Sequence, residues 1–333
     1  MKTMHLTLFA SACALLTPAG TAARALTPAA APAIEIVDAF LPQGPGGKPK
    51  MPPKLDKTLL NAFFGSEPAA PKSDNQVTDD KVALGRTLYH TALAADGTSS
   101  CASCHDLAKW GQSGNKTDGA RNAPSTLNAF RQFAQYWDGR ADTVEAAMAH
   151  GLADDAALVA KVKGDADLAA KFGGDVTAAA VRDAIGAFAR TLVTKSPFDE
   201  FLDGKNSALT TDQKIGLKTF IDVGCTACHT TRLLGGQMYQ KLGVTGPYPS
   251  DDLGRFALTK NEADKNMWKV TSLLNVTKTA PYFHDGGVSD LGEAVQLMAK
   301  IQLNRTLEAE QVESIVAFLD ALTGPLPEGA VVK

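Results

Sequence analysis

One pentapeptide occurs twice in the chain, as Cys101-Ala-Ser-Cys104-His105 and Cys225-Thr-Ala-Cys228-His229, and the two copies hold four of the five cysteines. CxxCH is the attachment signal for c-type haem: two thiols close thioethers onto the vinyl groups, and the adjacent histidine ligates the iron from one side. A bare CxxC also suits a zinc knuckle or a dithiol redox pair. Here the pairs lie 124 residues apart, far beyond ribbon spacing, and each runs straight into histidine with no cysteine left over. The chain is therefore expected to carry two covalently bound haem c groups, one per half. Cys101, Cys104, Cys225 and Cys228 are the attachment points, and His105 and His229 are the proximal iron ligands.

The fifth cysteine, Cys13, lies in a leader. Lys2 gives a positive start, residues 6–16 an apolar stretch, and Ala23, Arg24 and Ala25 a small-residue cleavage site, so residues 1–25 read as a signal peptide. No later run approaches the roughly 18 apolar residues that span a bilayer, so no membrane span is expected. Haem attachment of this type belongs with a bacterial periplasm. The full chain carries 33 basic and 36 acidic side chains, and losing Lys2 and Arg24 takes the net charge from −3 to −5. That balance argues against a nucleic-acid binder and leaves room for a basic protein partner.

The length left after the leader suggests two domains. Residues 26–75 are rich in Pro, Ala, Gly and Lys and are expected to form an extension or wrapping arm, with no regular structure over residues 41–50. A helix is expected from Asp79 through Val82, Leu84, Leu88 and Tyr89, then a polar glycine-rich loop over 111–119, then a helix capped by Asp142. Val181, Ile185, Phe188, Ala189 and Leu192 recur at helical spacing. The second half opens with a helix from Thr211 leading into the second signal and closes with one over 308–322, stopped by Thr323, Gly324 and Pro325. Helix, CxxCH, loops, ligand and terminal helix is the layout of a small cytochrome c. The expected fold is all-α with few strands: two cytochrome c-like domains over 76–204 and 205–327.

The runs LGRTLYHTALAADGTSSCASCH, RNAPSTLNAF, QYWDGRADTVEAA, DLGRFALT, KVTSLLNVTKTAPYFHDGGVSDLGEAVQLM and IVAFLDALTGPLP follow in order across about residues 80–327. In these the chain resembles the bacterial dihaem cytochrome c peroxidases, relatives of the tryptophan-modifying enzyme of methylamine metabolism. The resemblance implies a periplasmic enzyme that reduces hydrogen peroxide, with one electron-entry haem and one peroxide-reacting haem, fed by a small cytochrome c or a blue copper protein, and a homodimer. It implies Met298, fourteen residues after His284, as the second axial ligand of the electron-entry haem. On spacing alone Met298 also fits the apolar stripe of a helix with Leu291 and Val295. It implies Trp137 as a bridge between the haems, and calcium at Asn122, Thr279 and Pro281, whose oxygens suit a hard cation.

The resemblance breaks in the first half. Heterolysis of peroxide needs a group that moves a proton between its oxygens. The family's distal glutamine and glutamate fall on Ala147 and Ala157. Asp154 or Asp155 is expected to supply the carboxylate, or else both form a solvated charge pair. His150, with Met148, follows the WDGR segment and is a candidate sixth ligand or proton carrier. The loop over 106–121 holds no histidine or methionine, so the family's removable histidine ligand is expected to be absent. Thr271 and Leu274 replace a proline and an arginine common in the family. Two further readings stay open: a dihaem electron carrier without peroxidase activity, and a relative that oxidises a protein or organic substrate, which Met298 disfavours because the tryptophan-modifying relative has tyrosine there.

Overall fold

Short polar residues set where the helices begin, and buried aromatic residues set how they cross. A computed structural model describes residues 51–69, 73–114, 116–117, 121–152 and 154–331, within the unit Pro49–Lys333. In chain order the helices are α1 (Lys57–Phe64), α2 (Asp79–His90), α3 (Cys101–Cys104), α4 (Val144–Gly151), α5 (Asp155–Gly164), α6 (Ala166–Ala170), α7 (Ala178–Ala189), α8 (Pro197–Leu202), α9 (Thr211–Val223), α10 (Phe256–Thr259), α11 (Leu291–Leu303) and α12 (Ala309–Asp320). Among the described residues, strand is confined to two short antiparallel pairs: β1 (Lys116–Thr117) with β2 (Arg121–Asn122), and β3 (Tyr239–Lys241) with β4 (Met267–Lys269). Helix caps follow the expected chemistry. The Thr78 hydroxyl accepts from the Lys81 N–H ahead of Asp79 and Asp80, and Thr210 with Gln213 closes a reciprocal box at the start of α9.

Each half is built around one close helix crossing, and the two crossings repeat the same contacts. In the first, α2 meets α7 at Gly85, where an added Cβ would stand 1.9 Å from the Ala184 carbonyl oxygen and 2.9 Å from Phe188 Cβ. In the second, α9 meets α12 at Gly216, where the Cβ would stand 1.8 Å from the Ser314 carbonyl oxygen and 2.9 Å from Phe318 Cβ. Four residues after each glycine comes an aromatic residue on the same helix face, Tyr89 against Phe188 (5.4 Å between ring centres) and Phe220 against Phe318 (5.3 Å). The missing side chain lets the backbones approach, and the rings one turn on fill the space beside them. Around these crossings lie two apolar clusters, with Leu88, Val181 and Ile185 in the first and Leu217, Ile315 and Leu319 in the second. Cys101 packs against the first cluster and Cys225 against the second.

The chain ends cross over. Leu60 and Phe64 of α1 are buried in the second cluster, where Phe64 meets Phe198 edge-on at 5.3 Å, while Ala330 near the C-terminus is buried in the first. In the described part of 26–75, where an extension or wrapping arm was expected, the chain forms the helix α1. The signal-like residues 1–25, Cys13 and the irregular run 41–50 lie outside the described residues.

Three expectations need correction. The cap of α4 is Thr143, whose hydroxyl accepts from the Ala146 N–H at 3.1 Å, with Asp142 exposed one residue earlier. The glycine-rich loop contains β1, held by pairing with β2. The boundary expected at 204/205 falls too late for packing. Pro197 opens α8 behind a Ser196–Asp199 capping box, and its Phe198 is buried against Phe64 and Phe318 of the second cluster.

Candidate functional site

Both haem signals fold as a single helical turn, and that local geometry gathers the ligating atoms. Cys101–Cys104 form α3, and Cys225–Ala227 form a 3-10 turn entered through Gly224, whose φ of 101° ends α9 in the left-handed region. In each, the histidine N–H donates to the carbonyl of the first cysteine, His105 to Cys101 at 2.8 Å and His229 to Cys225 at 3.0 Å. Residues three and four apart share a helix face, so both thiols and the imidazole come to one side. Each imidazole is then oriented through Nδ1: His105 faces the Gly111 carbonyl at 3.3 Å and His229 the Leu234 carbonyl at 2.8 Å. A carbonyl only accepts, so Nδ1 carries the hydrogen and Nε2 is left free for a metal. Burial holds both rings below the ordinary imidazole value, against the raising effect of these hydrogen bonds, which favours the neutral form a ligand must have. The four cysteines form no disulfide, and burial pushes Cys101 and Cys225 up to about 12, the opposite of an activated redox thiolate.

The second signal opens onto a cavity of about 220 Å³ with largely apolar walls. Cys225, Cys228 and His229 line it together with Met298 of α11. Met298 therefore faces the same space as the histidine, as do Leu291 and Val295 of its helix, and the stripe that read equally well as core is the wall of this cavity. His284 also lines it: the ring stacks on Trp268 at 4.0 Å, Nε2 lies 3.0 Å from Ser250 Oγ, and Nδ1 is buried without a hydrogen-bond partner among the described residues. An apolar chamber with two free thiols, a tautomer-fixed imidazole, a facing thioether and an orphaned polar atom fits a haem. At the first signal the fit rests on Cys101, Cys104 and His105, with Tyr89 donating to the His105 carbonyl at 2.6 Å and Trp110 packed on the same cluster.

A second cavity, of about 120 Å³, adjoins the first, and Trp137 lines both. Its indole N–H donates to the Asn122 carbonyl at 2.8 Å, and its own carbonyl accepts from the Lys269 N–H at 2.8 Å, so the WDGR turn is pinned from both halves. Nearby, Arg121 pairs with Asp138 and with Asp252, both at 2.7 Å, and lies over the Trp268 ring. Asn122, Thr279 and Pro281 converge on the wall of the smaller cavity. Their polar atoms are engaged within the protein: Asn122 accepts from Gln112 at 2.9 Å and donates to the Pro281 carbonyl at 2.6 Å, and Thr279 donates to the Val276 carbonyl. Among the described residues, no group of three or more His, Cys, Asp or Glu is arranged to hold a metal ion.

The remaining residues singled out from the sequence are not gathered here. Asp154 caps α5, accepting from the N–H groups of Ala156 and Ala157. Asp155 is 70% exposed and pairs with Arg182 at 2.7 Å. This corrects the expectation that one of them serves as the distal carboxylate: a cap and a surface ion pair already account for both. His150 ends α4 on an exposed face, edge-on to Tyr136 at 5.8 Å, and Met148 packs on the first cluster. Sequence reasoning missed Lys269, buried in the wall of both cavities, and the paired glycine crossings. The crossings did leave a signal, a glycine four residues before an aromatic ahead of each CxxCH.

The family model for di-haem cytochrome c peroxidase matches residues 79–207. Cytochrome c551 peroxidase of Nitrosomonas europaea is 39% identical over 300 residues, covering 81% of this chain and 90% of that protein. Cytochrome c peroxidase Ccp of Escherichia coli is 40% identical over 286 residues, covering 78% of this chain and 62% of that longer protein. Among solved structures, a MauG-like protein associated with microbial copper homeostasis superposes with a TM-score of 0.66 at 26% identity, over 77% of this chain and 93% of its own. The chain belongs to the di-haem cytochrome c peroxidase family.

Proposed function

We propose that the protein is a periplasmic peroxidase that reduces hydrogen peroxide to water with electrons from a small cytochrome c or a blue copper protein. The observation that carries this reading is the cavity shared by Cys225, Cys228, His229 and Met298, with Trp137 in the wall it has in common with its neighbour. When bound, two covalent haem c groups supply an electron-accepting iron in the second half and a peroxide-reacting iron in the first. The protein's part is attachment, orientation and exclusion of water. Cys225 and Cys228 would tether the group, Leu234 fixes the His229 tautomer, and Met298 of α11 would supply a thioether to the iron; thioether ligation together with imidazole raises a reduction potential, as an electron port requires. Cys101 and Cys104 would tether and His105 would ligate the group of the first half, and Trp137 would bridge between the two. A calcium ion at Asn122, Thr279 and Pro281 would have to displace the Asn122–Pro281 hydrogen bond, and calorimetric titration of calcium-depleted protein reads that directly. A homodimer is the assembly we expect, read by sedimentation.

One observation favours a second reading, a dihaem electron carrier: Ala147 and Ala157 stand where the family's distal pair would be, and Asp154 and Asp155 are committed elsewhere. On the peroxidase reading, His150 of α4 is the remaining candidate proton carrier. The optical spectrum of the oxidised protein, with and without peroxide, followed by turnover with reduced cytochrome, separates the two. A high-spin signal that peroxide consumes, with turnover, supports the peroxidase. Low spin in both oxidation states without turnover overturns it in favour of the carrier.

A further inference from the structure

Among the described residues, Lys269 is the one Lys, Arg, Asp or Glu in the wall of either cavity. It ends β4, where pairing with Tyr239 and the bond to the Trp137 carbonyl hold its backbone, and the residue is only 5% exposed. Its Nζ donates to Gln132 Oε1 at 2.7 Å and to the Ala134 carbonyl at 3.0 Å. An ammonium has three donors, and both of these acceptors are neutral. The acid whose charge acts on it, Asp138, is already paired with Arg121 at 2.7 Å and Arg140 at 3.0 Å. Left in this state, burial pulls Lys269 down to about 7, with Asp138 opposing only in part. Buried charges persist when they are paired and hydrogen-bonded, so the site is short of one anion and one acceptor. Lys269 is part of the wall of both cavities, so a group held in either can supply them.

The group that the larger cavity fits has carboxylates. A porphyrin of the haem type bears two propionates on its edge, and these are the anions an apolar chamber must compensate. We propose that Lys269 pairs with a propionate carboxylate of the haem held by Cys225, Cys228 and His229, and that its charge helps set that haem's reduction potential. This rests on the dihaem reading above. Lys269 acts here as a positioning residue: it moves no proton and touches no substrate. Its positive charge, or its neutralisation of the propionate, favours the iron state with one more electron, so removing it lowers the potential.

The test is spectroelectrochemical titration of the full-length, exported holoprotein and of K269M, K269Q and K269R, each after mass analysis of haem content. Wild type with fewer than two haems per chain refutes the dihaem reading itself and is told apart at that step. With two haems present, K269M is expected to shift the reduction equilibrium of the Met298-side haem about tenfold toward the oxidised form, about 59 mV for a one-electron couple. K269R, which keeps the charge, is expected to stay within twofold of wild type. K269Q keeps a hydrogen-bonding side chain without the charge and carries the test if K269M does not load haem. A neutral variant with two haems and an unshifted potential overturns the proposal, and so does an equal shift in K269R, which would mark the effect as one of shape.

Discussion

Gly216→Ala isolates what the helix crossing contributes to the second half. The new methyl would sit 1.8 Å from the Ser314 carbonyl oxygen and 2.9 Å from Phe318 Cβ, whereas ordinary contact begins near 3.4 Å. The first obstacle is backbone, so no side-chain rotation relieves it, and α9 must move off α12 by about 1.5 Å, more than the 0.5–1 Å gap that already forfeits a quarter to a half of a dispersion contact. The contacts at stake are among the most buried in the chain: Leu217 and Phe318 at 0% exposure, Ile315 at 1% and Phe220 at 3%. Overpacking of this kind costs about 1–3 kcal/mol, and the backbone clash places it at the upper end. Replacing a helical glycine with alanine returns about 0.5–1 kcal/mol. The net is about 2 kcal/mol, or roughly 3 °C in the melting midpoint for a unit of this size at about 2.1 cal/mol/K per residue. Thermal melts of holoprotein are the assay, with the exposed Lys218→Ala as a control expected within about 0.5 kcal/mol of wild type. A Gly216→Ala protein that melts at or above wild type would refute the crossing as the element that joins these helices.

Met298→Leu should leave two haems per chain but lower the potential of the second, because the thioether is lost; an unchanged potential in a redox titration would remove Met298 as a ligand. Trp137→Phe should keep haem content and spectra while slowing transfer between the halves at least tenfold in stopped-flow reduction, and equal rates would exclude the bridge. Glu145 is tested by pH. Burial pushes its carboxyl up, but the Asn75 hydrogen bond and Arg190 at 3.0 Å outweigh it and hold the group below its ordinary 4.5. A carboxylate lowered in the folded state stabilises above the unfolded value and loses that contribution as pH falls through the folded one. Glu145→Gln should therefore cost about 1–3 kcal/mol at pH 7 and flatten the loss of stability below pH 4.5, seen in denaturant melts from pH 7 to 3. The same acid slope in both proteins would sink this assignment.

The haem signals were legible because their chemistry is local. Two thiols and an imidazole within five residues need only one helical turn to face the same way, and both signals form that turn. Helix positions were legible for a related reason: caps and apolar periodicity act within a few residues, and α2, α9 and α12 begin at or beside the expected positions. Met298 was ambiguous, since a thioether on a helix suits a core and a metal equally, and only the fold shows that it faces the space His229 faces. Asp155 looked available because nothing near it in sequence reveals that it meets Arg182 twenty-seven residues on, whereas the Asp154 cap of α5 is local and went unread. The crossing of the chain ends, the burial of Lys269 between two cavities and the membership of α8 in the second core depend on which distant surfaces meet. Local sequence set the attachment chemistry and the helices; tertiary packing decided which side chains share a chamber, because desolvation and pairing act only once those surfaces have closed on one another.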